Sequence, residues 1–433
     1  MLRSVLLEGF RSFEHPTAVR FAPLTILAGP NNAGKSSVIQ AVLALAQSEQ
    51  ASSGDALLLS GAWCDLGRFD EVVSAGSPSD QRRFRIGLTG TTPEGLAVDT
   101  VWEFGSPEDE DSALTSASLL SLTYAFERRA GRAERRVTGF QWESDNPTDG
   151  YQGQAAGKAV FAHPGEFLIL TIEEPEQHEV GRASQWDRPV REIRPSPLDA
   201  SRTQYVGPFR SPPQPLYTPR TSMAGPPLGR YGEHTAELLF RHRTQRTDVT
   251  VPGQPHEDEG SPILSAINAW WSHLFDGSFA LQIDAPARLG FTLSIDTPSA
   301  ERLGLGQVGL GLSQALPIVT ACLVSRPGDL LLIETPEAHL HPGAQHRLTS
   351  LFIELARKGR QVVIETHSEH LVTAAQIAVK EGLPPDDVAI SFFSQEAGRT
   401  VVQEIELNQH GRALRWPPGF FDQAAVDLAE LLR

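Results

Sequence analysis

Residues 29–37 read GPNNAGKSS, and this places Gly29, Gly34, Lys35 and Ser36 in the spacing G-x-x-x-x-G-K-[ST]. Each residue type in that order has a physical task. The glycines let the backbone fold round a phosphate with its N–H groups pointing inward. Lys35 brings a cation to the β- and γ-phosphates, and Ser36 offers a hydroxyl to Mg²⁺. The implied chemistry is capture of a nucleoside triphosphate with its metal. A second stretch, LLLIETPEAHLHP over residues 330–342, runs four apolar residues into Glu334, then Thr335, Pro336, Glu337, His339 and His341. A third, QVVIETHS, carries an apolar run to His367.

Such groups need a rigid frame. LTILAG (24–29) reads as a buried strand ending on a glycine. SSVIQAVLALAQ (36–47) has Val38, Ile39, Val42, Leu43 and Ala46 at helical spacing. This strand–loop–helix context is what the phosphate-binding spacing requires. From residue 304 onward strands and helices alternate. SQALPIVTACLVS reads as a buried helix and DLLLIE as a strand. Pro342 falls in the first turn of a helix that ends before Gly359, and RQVVIETHS is the next strand. Residues 80–215 have another texture, short alternating runs separated by Gly, Pro, Ser and Asp, which predicts hairpins. The chain therefore divides into a first lobe over 1–79, a strand-rich insertion over 80–215, a mixed helical and hairpin region over 216–300, and a last lobe with a short extension over 301–433. LILTIEEPEQHE (168–179) mimics the second stretch, but no histidine strand follows it soon. It is read as an insertion strand, with Glu174 a candidate base only if that reading fails.

The bulk numbers narrow the class. Hydrophobic residues make up 40% of the 433, ordinary for a globular protein, and no apolar run reaches membrane-span length. The first residues do not form a secretory signal. Two distant cysteines, Cys64 and Cys322, exclude a disulfide framework and suit a reducing cytoplasm. The net charge of −16 argues against an all-over nucleic-acid surface, while leaving room for a local basic groove. The arginine clusters ERRAGRAERR and RHRTQR are read as a solvated hairpin tip and a polar helix face.

No guanine-reading Asn-Lys-x-Asp is present. Four segments, LEGFRSF (7–13), GPNNAGKSS, GLGQVGLGLSQALPIV (304–319) and VVIETHS, together resemble the ATPase heads of the ABC/SMC and RecF type. More narrowly, GLGLSQALPIV, LLLIETPEAHLHP, QVVIETHSEHL and WPPGFFD resemble AAA-type ATPases related to the OLD nucleases, in the bacterial branch with a short C-terminal domain of unknown function. The motifs cover about residues 1–75 and 300–433. The resemblance implies an α/β P-loop NTPase head with a strand-rich and partly helical insertion between its lobes. It also implies roles. Gly29, Asn31, Asn32, Gly34, Lys35, Ser36 and Ser37 would hold ATP. Gly311, Ser313 and Gln314 would open a helix that meets the γ-phosphate bound to a second copy. Glu334 with Ser36 would hold Mg²⁺, and His367 would sense the γ-phosphate. Gln47 and Asp65 are candidates for a further nucleotide-contacting loop. A zinc site built from His339, His341, Glu337, His367 and His370 is the weaker reading, because His339 and His341 fall where a dimer-facing loop belongs.

In these relatives a catalytic glutamate directly follows the Walker B acid, and here that position is Thr335. A threonine hydroxyl cannot take a proton near neutral pH, and loss of a general base costs ~10²–10⁴ in rate. Glu337 is the substitute candidate. The expectation is an ATP-binding, slowly hydrolysing switch. It would dimerise by sandwiching ATP between heads and act on a separate effector such as a nuclease, in defence against phage or plasmid. Only 66 residues follow His367 (433 − 367), too few for the nuclease domain of the OLD relatives. Two alternatives stand beside it. One is a RecF/SMC-like DNA-repair ATPase; the other is a scaffold that uses ATP only to join two heads.

Overall fold

The computed structural model describes residues 1–51, 56–76, 82–92, 95–106, 116–130, 133–143, 151–155, 158–166, 169–173, 190–193, 196–218, 225–253, 260–285, 290–421, 427 and 430–432. They form two compact units, one of residues 1–21, 36–201 and 395–400, the other of 22–35, 202–394 and 401–433.

The first unit is an antiparallel sheet in which neighbours in sequence are mostly neighbours in space, running from Val190–Ile193 through Arg83–Thr91 to Leu2–Glu8 and Thr17–Arg20. Alternation in the sequence becomes alternation in burial. In Arg83–Thr91 the first four residues read exposed, buried, exposed, buried. Phe84 from this strand lies 5.5 Å from the ring of Phe10 and 5.4 Å from that of Phe104. The strand Ile169–Glu173 belongs here. It pairs antiparallel with Lys158–Glu166 on one side and Val190–Ile193 on the other. Glu174 lies outside the described residues. The longer arginine run lies on two paired strands, Ser116–Ala130 and Ala133–Glu143, with Arg128 opposite Arg135.

The second unit is built on a parallel sheet. Its strands are β1 (Leu24–Ala28), β2 (Thr203–Val206), β3 (Leu330–Glu334), β4 (Gln361–Thr366) and β5 (Val388–Glu396). The order is β2-β3-β4-β1-β5, every one of these neighbouring pairs is parallel, and β6 (Arg399–Glu404) lies beyond β5. All residues of β1, β3 and β4 are buried, which is why they read as unbroken apolar runs rather than alternating ones. The chain leaves β1 through the loop into α1 (Lys35–Ala51), which from Ser36 on belongs to the first unit. The second unit's helices include α2 (Thr235–His242), α3 (Ile263–Phe275), α4 (Leu310–Val324), α5 (Pro342–Arg357) and α6 (Glu369–Lys380). The helices α2 and α3 stand where the sequence showed helical spacing, and their Leu239, Ile267 and Trp271 are fully buried in the core shared with α4 and α5. The shorter arginine run caps α2 locally. Arg241 pairs with Glu237 at 2.6 Å, and the Arg243 guanidinium lies 4.1 Å from the centre of the Phe240 ring.

Candidate functional site

In an open parallel sheet, ligands bind beyond the carboxyl ends of the strands, near a switch in strand order. Here β1, β2, β3 and β4 all finish at one edge, and each delivers polar residues there.

The loop after β1 is the phosphate-binding spacing itself. Gly29 takes φ +147°, and a Cβ on it would stand 2.3 Å from the carbonyl oxygen of Phe393, so only glycine fits. Gly34 (φ 97°) and Asn32 (φ 63°) also lie in the left-handed region. Asn31 and Asn32 are exposed, while Lys35 and Ser37 are buried. Lys35 Nζ donates to the carbonyls of Gly29 at 3.1 Å and Pro30 at 2.7 Å, and lies 4.0 Å from Glu365. Burial pulls its ammonium below the usual lysine range, against the charges of Glu365 and Glu337. The loop thus carries a buried cation held by its own carbonyls beside one carboxylate. Ser36 is the second residue of α1.

Next to it, β3 and β4 end in register with Glu334 opposite Glu365. Glu334 is 5% exposed, and Tyr205 from β2 donates to its Oε1 at 2.8 Å. Burial, then the neighbouring charge of Glu365, pushes the Glu334 carboxyl up to about 8. Among the described residues no cluster of three or more His, Cys, Asp or Glu is arranged to hold a metal. This offers nothing to the zinc reading. His339 is exposed, and the His341 ring accepts from the Gly343 amide as the cap of α5.

Beyond β3 the chain turns at Thr335, which has φ 43°. Glu337 then lies across the end of β4, and its Oε1 accepts the His367 backbone N–H at 2.7 Å. Burial raises the Glu337 carboxyl above the usual range. His367 is exposed at the strand end. Although the residue is exposed, partial burial of its ring and then the charge of Lys35 hold the imidazole below the usual histidine range, against a hydrogen bond to the Gly29 carbonyl that raises it. Lys35, Glu334, Glu337 and His367 are therefore gathered at one edge. Together they can accept a triphosphate, polarise it through a cation and take a proton from water.

The signature-like segment opens a helix. The helix α4 begins at Leu310, which is 51% exposed, with Gly309 before it. Ser313 and Gln314 are buried, and the Ser313 hydroxyl donates to the Leu310 carbonyl of its own helix at 3.0 Å. Gly311 has a packing reason, since a Cβ there would come 2.7 Å from the His339 carbonyl oxygen. Gln47 is spent on its own loop. Its amide donates to the Leu58 carbonyl at 2.6 Å and its oxygen accepts from the Cys64 amide at 3.2 Å. Asp65 accepts from the Gly67 amide.

Two residues at the site were not foreseen, Tyr205 and Arg210. Arg210 is buried, and its NH2 donates to the carbonyls of Glu334 at 2.9 Å and Thr335 at 3.1 Å. The available signal was TQYVGPFR, a β-branched and aromatic run closing on Gly-Pro and then a lone arginine.

Residues 1–80 match a family described as "AAA ATPase domain", and residues 273–373 match one described as "AAA domain, putative AbiEii toxin, Type IV TA system". Residues 383–431 match one described as "Protein of unknown function (DUF3696)". The chain is 42% identical over 143 residues to the chromosome partition protein Smc of Mycobacterium tuberculosis, covering 32% of this chain and 10% of that protein. It is 42% identical over 91 residues to the Smc of Mycolicibacterium paratuberculosis, covering 21% and 7%. The chain thus spans a tenth or less of the length of these relatives. Similar solved structures include the SMC head domain from Thermotoga maritima (13% identity, 94% of this chain and 99% of that one, TM-score 0.42). Another is the Smc head with an extended coiled coil bound to the C-terminal domain of ScpA from Pyrococcus furiosus (11% identity, 100% and 99%, TM-score 0.44). The first AAA match contains the phosphate loop. The second contains Gly311, Ser313, Gln314, Glu334, Glu337 and His367. The fold is α/β, with the phosphate-loop spacing directly after a strand of a parallel sheet and AAA ATPase matches on residues 1–80 and 273–373. Among the described residues no helix is long and apolar enough to cross a membrane.

Proposed function

We propose that this chain, with an AAA ATPase match on each of its two lobes, is a nucleotide-dependent dimerising switch that binds ATP, hydrolyses it slowly and controls a separate effector. The observation that carries this reading is the convergence of Lys35, Glu334, Glu337 and His367 on the carboxyl edge of one parallel sheet. On binding, Lys35 exchanges the Gly29 and Pro30 carbonyls for the β- and γ-phosphates. The residues fit Mg²⁺, with Glu334 and Ser36 as its protein ligands, and the bound ion would neutralise phosphate charge. Glu337 stands in for the absent glutamate at position 335 and accepts the proton of the attacking water. His367 reads the terminal phosphate.

In a dimer, the start of α4 with Gly311, Ser313 and Gln314 would complete the nucleotide bound to the other copy. Helix N-terminal N–H groups suit that anion, and the Ser313 hydroxyl would turn away from Leu310. Nucleotide held by both copies favours the closed pair over the open one, and this difference in affinity is what shifts the equilibrium. The family description of residues 273–373 names a toxin system, which supports a role in defence against phage or plasmid with an effector such as a nuclease. The resemblance to the OLD-related ATPases points the same way.

The test is calorimetry with a non-hydrolysable ATP analogue and Mg²⁺, beside light scattering. The expected result is one analogue per chain and a doubling of mass, both lost in Lys35→Ala. Absence of heat in the wild type sinks the reading. The 42% identity to chromosome partition proteins favours a second reading, a DNA-handling ATPase. It predicts duplex affinity that falls steeply with salt, against which the net charge of −16 weighs.

A further inference from the structure

The turn that separates Glu334 from Glu337 is held from two sides. The amide of Thr335 donates to the Glu365 carbonyl at 2.8 Å, which ties the turn to β4. From the loop after β2, Arg210 grips the two successive carbonyls of Glu334 and Thr335. Between these clamps Thr335 adopts φ 43°. A β-branched residue is a genuine outlier in that region, and such strain persists only where the surroundings over-determine it. A satisfied pair of carbonyls does not need an arginine. Yet this guanidinium is 8% exposed, and its Nε and NH1 are buried without a partner. Glu337 shows the complementary defect, since its Oε1 takes the His367 amide while its Oε2 is buried without a partner. Unpaired buried polar atoms are costly and call for an explanation. Two of opposite charge border the same turn.

We infer that Arg210 is a positioning residue for hydrolysis. It locks the Glu334–Thr335 turn in its left-handed form, so that Glu337 rather than residue 335 faces the attacking water, and its remaining nitrogens supply the counter-charge for Glu337. The inference deepens the ATPase reading above and rests on it. It accounts for how a chain with threonine at position 335 presents a carboxylate at all. Burial lowers the Arg210 guanidinium to about 10, opposed by the charges of Glu337 and then Glu334, which agrees with a cation facing these two acids.

The test compares phosphate release and analogue affinity in the wild type, Arg210→Gln, and Arg210→Gln combined with Thr335→Gly. Misplacing a reacting group by about 1 Å can cost ~10²-fold, so Arg210→Gln is expected to lower kcat by about that factor while analogue affinity stays within about threefold. Glycine adopts positive φ without a Cβ penalty, so the double variant is expected to recover about tenfold of the loss. Wild-type turnover in Arg210→Gln overturns the inference. So does a loss of affinity that matches the loss of kcat, and so does failure of Thr335→Gly to rescue. If Arg210→Gln does not fold, Arg210→Lys takes its place. Lysine keeps the charge but lacks the planar fork of donors, so full wild-type turnover with lysine also overturns it. Glu337→Gln separates the two levels. Retained turnover there removes the assigned base, and this inference with it. Lost turnover there, with no rescue in the double variant, removes this inference alone.

Discussion

Two stretches of this chain look alike in sequence and end in different worlds. LILTIEEPEQHE and LLLIETPEAHLHP each carry an apolar run into acids and a proline. The first gives the strand Ile169–Glu173, held antiparallel between two hairpin neighbours. The second gives β3, parallel between β2 and β4, with Glu334 buried beside Glu365 and its exit turn gripped by Arg210. The difference teaches that an acid at a strand end acquires its chemistry from the strands on either side. Both neighbours of β3 deliver polar groups to the same edge, Tyr205 from one and Glu365 from the other.

The contrast can be broken most directly at the acids. Glu337→Gln should cut phosphate release by ~10²–10⁴-fold, as loss of a general base does. Glu173→Gln should leave it within about twofold, because Glu173 lies on an antiparallel strand of the first unit and not among the residues gathered at the edge of β3. Equal effects of the two would erase the distinction. A smaller effect is expected where the turn region packs on α4. Gly311→Ala puts a methyl 2.7 Å from the His339 carbonyl oxygen. By overpacking it should lower unfolding stability by ~1–3 kcal/mol in chemical denaturation. An unchanged midpoint would mean that α4 and the loop can separate freely.

Titration sharpens the same comparison with the smallest signal. The Glu334 carboxyl is raised from 4.5 in the unfolded chain to about 8 in the folded one. The folded form therefore keeps a proton that the unfolded form has lost, and stability falls as pH rises between these values. The contribution is full below about pH 4.5 and gone once pH passes about 8. Glu334→Gln has no such proton to lose. Its melting temperature relative to the wild type should climb across that window.

Much of the site was legible because its parts are local in sequence. The glycine spacing at 29–36 dictates its own backbone, and LLLIE and QVVIET read as strands buried on both faces because a parallel sheet demands it. Arg210 was not legible. Its partners lie 124 and 125 residues away, and the stretch around it reads as a proline-rich connection. The left-handed turn at Thr335 was hidden too, since no propensity favours a β-branched residue there. The intrahelical bond of Ser313 was hidden as well, since the residue type alone does not say that its hydroxyl donates to the Leu310 carbonyl one turn back.

The strand order has a consequence for biosynthesis. The strand that launches the phosphate loop, β1, is flanked by β4 and β5, so Leu24 must wait for Val362 and then Val388. The shorter interval is 362 − 24 = 338 residues. At ~5–20 residues per second on the ribosome the delay is roughly 17–70 s. Throughout it the sequence LTILA is an apolar ribbon with both edges unpaired. A nascent chain arrested before residue 361 should be captured by trigger-factor-like or Hsp70-like holdases and should fail to bind nucleotide, although its glycine loop was translated first.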